Sequence, residues 1–309
     1  MIYYFFRLFW ILVLFNPKIV YFTISPIKAF FRDLLYVFIL KLFNKKIIYH
    51  LHVQGIKNYV NNSRYKLFLY KWAYKNAHII CLSHLISDDI SEIYRGKPFI
   101  VNNGIKPIIS KIRITKNSNK IRILFLSNLL ESKGVFDFVE SIKILKTKYS
   151  NFIAVMVGNP SEISEIELNN YIRINHLANE IEYLGPKYNE KKFHQFLKAD
   201  LFVYPTKDDA FPLTILEAMN FGLPIITTKE GGIPDIIDDN LNGMLVEKGK
   251  PIDLANKLVS LFEDESLRKS LGMAAKEKFF LKYTEEIFNR NMKEIFLQIQ
   301  NINVQAQNH

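Results

Sequence analysis

The stretch DDAFPLTILEAMNFGLPIITTKEGGIPDII, residues 208–237, constrains the architecture more than any other part of the chain. It reads as a loop, a helix, a strand, a glycine turn and the start of a second helix. Pro212 suits the first turn of a helix, where its missing N–H is no loss. The helix is expected over 213–220. Gly222 then fits its C-terminal cap, and Pro224 blocks any continuation. An apolar strand is expected at 224–227, followed by Gly231, Gly232 and a helix opened by Pro234. Two βα loops of an α/β sheet therefore lie side by side, each ending at a helix N-terminus.

A helix N-terminus presents unpaired N–H groups and a partial positive charge, a ready site for a diphosphate. Glu217 falls about one turn inside the helix, where a carboxylate repels phosphate but accepts hydrogen bonds from paired ribose hydroxyls. Asp209, on the loop, suits sugar hydroxyls. Loop amides and two carboxylates so placed describe a nucleotide-sugar site. A βα unit of any open sheet, with Glu217 on a solvated face, shows the same bare pattern.

With 309 residues there is room for two domains with full cores. Apolar residues make up 49% and the mean hydropathy is +0.02, which describes a globular chain with a high apolar share. A single cysteine, Cys81, excludes an intramolecular disulfide and fits a reducing, cytoplasmic setting. The net charge of +11 is uneven: residues 1–120 hold 19 Lys and Arg against 4 Asp and Glu, the remainder 22 against 26. A basic first part rich in aromatics points to an anionic membrane surface or a phosphate-bearing lipid. A lysine-coated domain from a Lys- and Asn-rich proteome has the same composition. No nucleic-acid motif accompanies the charge.

Residues 1–15 are apolar except for Arg7, too short a run to span a bilayer before Asn16 and Pro17. The run lacks a basic start and a small-residue cleavage site, so it is expected to be a buried helix, with a membrane-associated helix as the alternative. Strands are expected at 18–24, 46–53, 77–83 and 98–105. Helices are expected at 27–43 (opened by Ser25 and Pro26), 64–75 and 87–94. This is a parallel α/β pattern. Residues 106–120 read as a lysine-rich linker. Beyond it, strands at 121–127, 152–158, 181–185, 200–205, 224–227 and 243–247 alternate with helices, making a doubly wound nucleotide-binding domain. A final helix near 284–300 is expected to return to the first domain.

The run Asp209, Ala210, Phe211, Pro212, Leu213, Thr214, then Glu217, Gly222 and Pro224 resembles the signature of family 4 glycosyltransferases, E-G-F-P-L-x-x-L-E-A-M-A-x-G-x-P-V-I followed by G-G-I-x-E. Asp209 stands for the first Glu of the family's pair, with the same charge and one methylene less reach. The segment ILFLSNLLESKGVFDFVESIKIL resembles the family's strand, loop and K-G helix, where an Arg and a Lys hold the donor diphosphate. Lys133 matches the Lys, and Asn128 takes the place of the Arg. The resemblance further implies that the backbone of Gly185, Pro186 and Lys187 lines the nucleobase. It places Thr206 as the small hydroxyl residue before the carboxylate pair, and Gly231 with Gly232 as the G-G turn. YHLHVQGI resembles the strand end where the family carries a histidine near the reacting sugar; His52 matches better than His50, which shares its strand face.

The resemblance implies a retaining glycosyltransferase of GT-B architecture, two Rossmann-like domains facing across a cleft. Its donor is a nucleotide sugar and its acceptor a surface glycan on a lipid carrier at the cytoplasmic membrane face. His52 and Asp209 serve the reacting sugar. No cofactor and no metal are implied, since no D-x-D occurs and the histidine pair lacks a third ligand. The family's opening strand and glycine-containing loop have no counterpart here. The first domain is therefore read as lacking its first βα units, with a truncated or split product, a start placed too late and a naturally short form all open, and a partner chain as one possible source of the missing units. Two other readings stay open: a non-catalytic or partner-dependent nucleotide-sugar-binding protein, and an epimerase of the same architecture. A nicotinamide dehydrogenase is disfavoured because no G-x-G-x-x-G follows a strand.

Overall fold

A computed structural model describes residues 2–25, 27, 29–109 and 120–306. In chain order the elements are α1 (Ile2–Phe15), β1 (Ile19–Phe22), α2 (Phe30–Leu42), β2 (Lys46–Leu51), α3 (Ile56–Asn61), α4 (Arg64–Tyr74), β3 (His78–Cys81), α5 (His84–Ser87), β4 (Phe99–Ile100), β5 (Ile121–Leu126), α6 (Val135–Lys146) and β6 (Phe152–Val157). They continue with α7 (Glu165–Ile174), β7 (Ile181–Tyr183), α8 (Asn189–Lys198), β8 (Leu201–Tyr204), α9 (Leu213–Asn220), β9 (Ile225–Thr228), α10 (Ile233–Ile236), β10 (Met244–Val246), α11 (Pro251–Glu263), α12 (Glu265–Lys282) and α13 (Glu285–Ala306). Two compact units result: Met1–Asn102 with Phe288–His309, and Asn103–Ile287. Pro26 and residues 110–119, the middle of the expected linker, lie outside the described residues.

The first unit is a parallel sheet in the order β1-β2-β3-β4. Alternation along β2 sorts its side chains between two layers. Ile47, Tyr49 and Leu51 join a core with Phe30 and Val37 of α2 and Tyr70 and Tyr74 of α4. Ile48 faces the other way, onto Ile80 and onto Ile295 and Ile299 of α13. Phe30 stacks on Tyr70 with centroids 3.5 Å apart, a contact type worth about 0.5–1.5 kcal/mol beyond the area it buries.

Helix α1 departs from the expectation of a buried helix. Phe5, Leu8 and Leu12 form one stripe against the core, and of these only Leu12 is fully buried. Tyr3, Tyr4, Phe6, Trp10, Val13, Leu14 and Phe15 are exposed. A helix apolar all round reads as buried, but only one of its faces meets packing partners here. Among the described residues, no helix is long and apolar enough to cross a membrane.

Three smaller expectations also shift. The helix expected at 87–94 begins earlier, because Ser83 rather than Ser87 caps it, its hydroxyl accepting from Ile86 N at 3.1 Å. A short helix unforeseen in the sequence, α3, starts after Gly55, which adopts a φ of +92°. The fourth strand shrinks to Phe99–Ile100.

The second unit is a six-stranded parallel sheet in the order β10-β9-β8-β5-β6-β7. From β5 the chain winds outward through β6 to β7, returns to β8 beside β5, and winds the other way to β10. The order reverses between β5 and β8. In open sheets of this kind the ligand crevice lies beyond the carboxyl ends of the strands at that reversal. The loops following β5 and β8 carry Asn128, Lys133, Thr206 and Asp209.

Candidate functional site

The loop after β5 closes with a 3-10 turn over Glu131–Lys133 and enters α6 through Gly134, at φ +73°. A Cβ added at Gly134 would stand 2.0 Å from the Pro205 carbonyl oxygen. Only glycine permits this approach. The Ser132 carbonyl accepts from Lys207 N at 2.7 Å and from Thr206 Oγ1 at 3.1 Å, so the two loops are knitted together.

Lys133 thereby reaches across the reversal point. Its Nζ donates to the Asp208 carbonyl and pairs with Asp209 Oδ2, each at 2.8 Å. The Tyr204 hydroxyl donates to the same Asp209 oxygen at 2.8 Å, and Phe211 N donates to Oδ1 at 3.2 Å. Burial, and secondarily the Asp209 charge, raise the Tyr204 phenol well above its ordinary range and keep it a donor. Thr206 is fully buried and its hydroxyl is spent on the loop, binding the Ser132 and Asp208 carbonyls.

Pro212 caps α9 and Leu213 begins it, with Leu213 exposed. Gly232 N donates to the Ala210 carbonyl at 2.7 Å, which draws the Gly231–Gly232 turn onto the loop before α9, while Phe211 packs inward near Tyr283. Thr214 and Glu217 share a face of α9 three residues apart. Thr214 Oγ1 and Glu217 Oε2 are buried and, among the described residues, without a hydrogen-bond partner. The other Glu217 oxygen, Oε1, pairs with Lys192 of α8. Buried polar atoms are ordinarily satisfied, and here two that are not lie on one helix face.

Gly185, Pro186 and Lys187 form the irregular segment between β7 and α8. Gly185 has φ +67°, and its carbonyl accepts from Gly158 N at 3.3 Å. The Lys187 ammonium folds back onto the Leu184 carbonyl. Asn128 is exposed and uncharged, and its Oδ1 accepts from Asn159 at 3.4 Å, while Asn159 accepts from Tyr188 at 2.8 Å. This chain of hydrogen bonds brings Asn128 and the 185–188 segment together.

His52 belongs to the first unit, just beyond β2, and is exposed. Its ring centroid is 4.1 Å from that of His50, as expected for residues two apart on one strand face. His50 is fully buried, shares a 2.6 Å hydrogen bond with Tyr21 through Nδ1, and lies near Phe288 of α13. Burial, then the neighbouring His52, lower its pKa to about 3, so it is neutral near pH 7. Among the described residues, no three His, Cys, Asp or Glu side chains come together as a metal site would require.

Sequence reasoning missed Tyr204 and Lys192. A phenol ending an otherwise wholly apolar strand, just before a Pro-Thr pair, was a signal for the first. Lys192 sits in an Asn-Glu-Lys-Lys run that looks like any solvated helix start.

A relative from Methanocaldococcus jannaschii, named an uncharacterized glycosyltransferase, is 28% identical over 242 residues, 78% of this chain and 65% of its own. The amylovoran biosynthesis glycosyltransferase AmsK of Erwinia amylovora is 27% identical over 203 residues, 63% of this chain and 49% of its own. The chain thus spans between about half and two thirds of the length of these two relatives. Among solved structures, Anabaena HepE in complex with UDP superposes with a TM-score of 0.81 at 18% identity, over 93% of this chain and 80% of that one. The fold is the two-sheet α/β architecture of GT-B glycosyltransferases. Residues 109–278, more than half of the chain, match the model for glycosyl transferases group 1, and the protein belongs to that family.

Proposed function

We propose that this protein moves a sugar from a nucleotide-sugar donor to a surface-glycan acceptor, with retention at the anomeric carbon. The observation that carries the reading is the face of α9, where Glu217 Oε2 and Thr214 Oγ1 are buried and unpartnered within a turn of the helix N-terminus. A ribose diol supplies the missing hydrogen bonds. The diphosphate then lies toward the helix start, where N–H groups and the macrodipole favour negative charge. HepE, similar in fold, is a structure with UDP bound, and AmsK is named for polysaccharide biosynthesis; both support this assignment.

In the reaction the bond from the anomeric carbon to the diphosphate oxygen breaks, and negative charge grows on the leaving group. Lys133 and the backbone N–H groups of Ala210, Leu213 and Thr214 stabilise it, an effect worth about 3–4 kcal/mol per donor in comparable sites. The acceptor hydroxyl attacks on the face the diphosphate leaves and passes its proton to a phosphate oxygen. Asp209 holds the sugar hydroxyls. Lys133 supplies the cationic charge, and transfer is expected to continue in excess EDTA. The acceptor is a lipid-carried glycan at the cytoplasmic membrane face, in keeping with the basic first part and exposed α1.

The test is calorimetric titration of the full chain with UDP, GDP and ADP, repeated on Glu217→Ala. One nucleotide should bind the wild type and lose at least ten-fold in affinity with the variant. Equal binding by both proteins rules out the assigned ribose site. Incubation with the matching nucleotide sugar then separates transfer, which needs an acceptor, from epimerisation, which does not.

A further inference from the structure

The Glu217 carboxylate does not stand alone. Lys192 Nζ, from the first turns of α8, lies 2.5 Å from Glu217 Oε1, and the two side chains are only 24% and 12% exposed. The ammonium has three N–H bonds, and Glu217 Oε1 is its one hydrogen-bond acceptor among the described residues. Beside this pair are two unpartnered atoms, Glu217 Oε2 and Thr214 Oγ1.

A cis-diol is neutral and offers two donors and two acceptors. A lone carboxylate can satisfy only the donors, and a neutral ligand would leave its charge uncompensated where water is scarce. A carboxylate-ammonium pair answers both needs: Oε2 accepts from one hydroxyl, and the spare ammonium hydrogens donate to hydroxyl oxygens. The positive charge also offsets repulsion between Glu217 and the incoming diphosphate.

We propose that Lys192 is a specificity-determining residue of the donor site, reading the ribose diol jointly with Glu217 and staying paired with it when the nucleotide is bound. This rests on the ribose-site reading given above. Lys192 is then the element that distinguishes ribo- from 2′-deoxyribonucleotides, because loss of the 2′-hydroxyl strands both the ammonium hydrogens and Oε2.

The experiment measures dissociation constants of UDP, GDP and ADP and of their 2′-deoxy forms for wild type, Lys192→Met and Lys192→Arg, with thermal melting as a check on folding. The wild type should prefer its ribonucleotide over the deoxy form by ten-fold or more. Lys192→Met should weaken the ribonucleotide about ten-fold while shrinking that preference to two- or three-fold, and Lys192→Arg should recover part of both. If Lys192→Met binds the ribonucleotide as well as or better than wild type, the lysine is a plug that the nucleotide displaces, and the proposal is overturned. If affinity falls while the ribo-to-deoxy ratio is unchanged, the lysine acts only through its charge, and the proposal is again overturned. A folded wild type that binds none of the six nucleotides removes the ribose site itself, whereas the two preceding outcomes leave that site standing. If Lys192→Met melts unfolded, Lys192→Ala takes its place: a ribo-to-deoxy preference shrunk to two- or three-fold sustains the proposal, and an unchanged preference overturns it.

Discussion

Lys133 and Asp209, 76 residues apart in sequence, face each other across the reversal of strand order with Nζ and Oδ2 separated by 2.8 Å. The cation and the carboxylate are thus neutralised by one another, and under the proposed function the first faces the leaving diphosphate and the second the sugar. Their roles separate on substitution. Lys133→Met should weaken nucleoside diphosphate binding and lower kcat by about a hundred-fold, the usual loss for one transition-state donor. Asp209→Asn frees the lysine, so nucleoside diphosphate binding should hold or tighten while transfer collapses. Titration and initial-rate measurements on both variants check this, and parallel losses in the two would contradict the separation.

Thr214 gives a prediction of opposite signs for stability and binding. Its Oγ1 is buried without a partner, a situation that costs about 1–3 kcal/mol. Thr214→Val keeps the shape and removes the stranded hydroxyl. The melting temperature should stay level or rise, while nucleotide affinity falls about five-fold. A variant that loses stability and keeps affinity would assign the hydroxyl to the fold rather than to the ligand.

His50 ties stability to pH. Its folded pKa of about 3 lies below the ordinary 6.5, so between those values the unfolded chain takes up a proton that the folded chain refuses. The contribution is whole above pH 6.5 and falls as pH drops toward 3, by roughly 1.4 kcal/mol per unit at most. Denaturant melts of wild type and His50→Asn from pH 7 to 4.5 should show a shallower decline for the variant. Equal slopes would place the acid sensitivity elsewhere.

Helix α1 carries a prediction about surfaces. Tyr3, Phe6, Trp10 and Leu14 recur at helical spacing on its exposed side, with Arg7 among them. Side chains of this kind insert at an interface while cations attract anionic lipid. Flotation with vesicles rich in anionic lipid should recover the wild type, less so in high salt. A variant with Phe6, Trp10 and Leu14 changed to Ser should stay behind without loss of melting temperature. Undiminished flotation of that variant would exclude α1 as the contact.

Much of the geometry of the candidate site was legible because it follows from residue type: glycine where backbones touch, proline at the start of α9, carboxylates at fixed spacing on the loop and helix. The strand sequence was legible from short apolar runs between turn residues. What escaped depends on partners distant in sequence. The start of α3 is capped by Asp89, whose carboxylate accepts from Ile56 N at 2.7 Å and Lys57 N at 3.0 Å, more than thirty residues upstream. The choice of Ser83 over Ser87 as a cap could not be read from two serines four residues apart. How far α1 is exposed could not be read from composition, which records how apolar a helix is and not how many of its faces find neighbours. Lys192 was hidden because a lysine's partner is set by the fold.

The missing side chain at Gly134 has a consequence for engineering. With the Pro205 carbonyl where a β-carbon would sit, the loop bearing Lys133 and the loop bearing Asp209 form a single interlocking part. Exchanging one of them between related enzymes to alter sugar preference would break the fit. The natural unit of transplantation is the pair, cut from the two central strands and moved together.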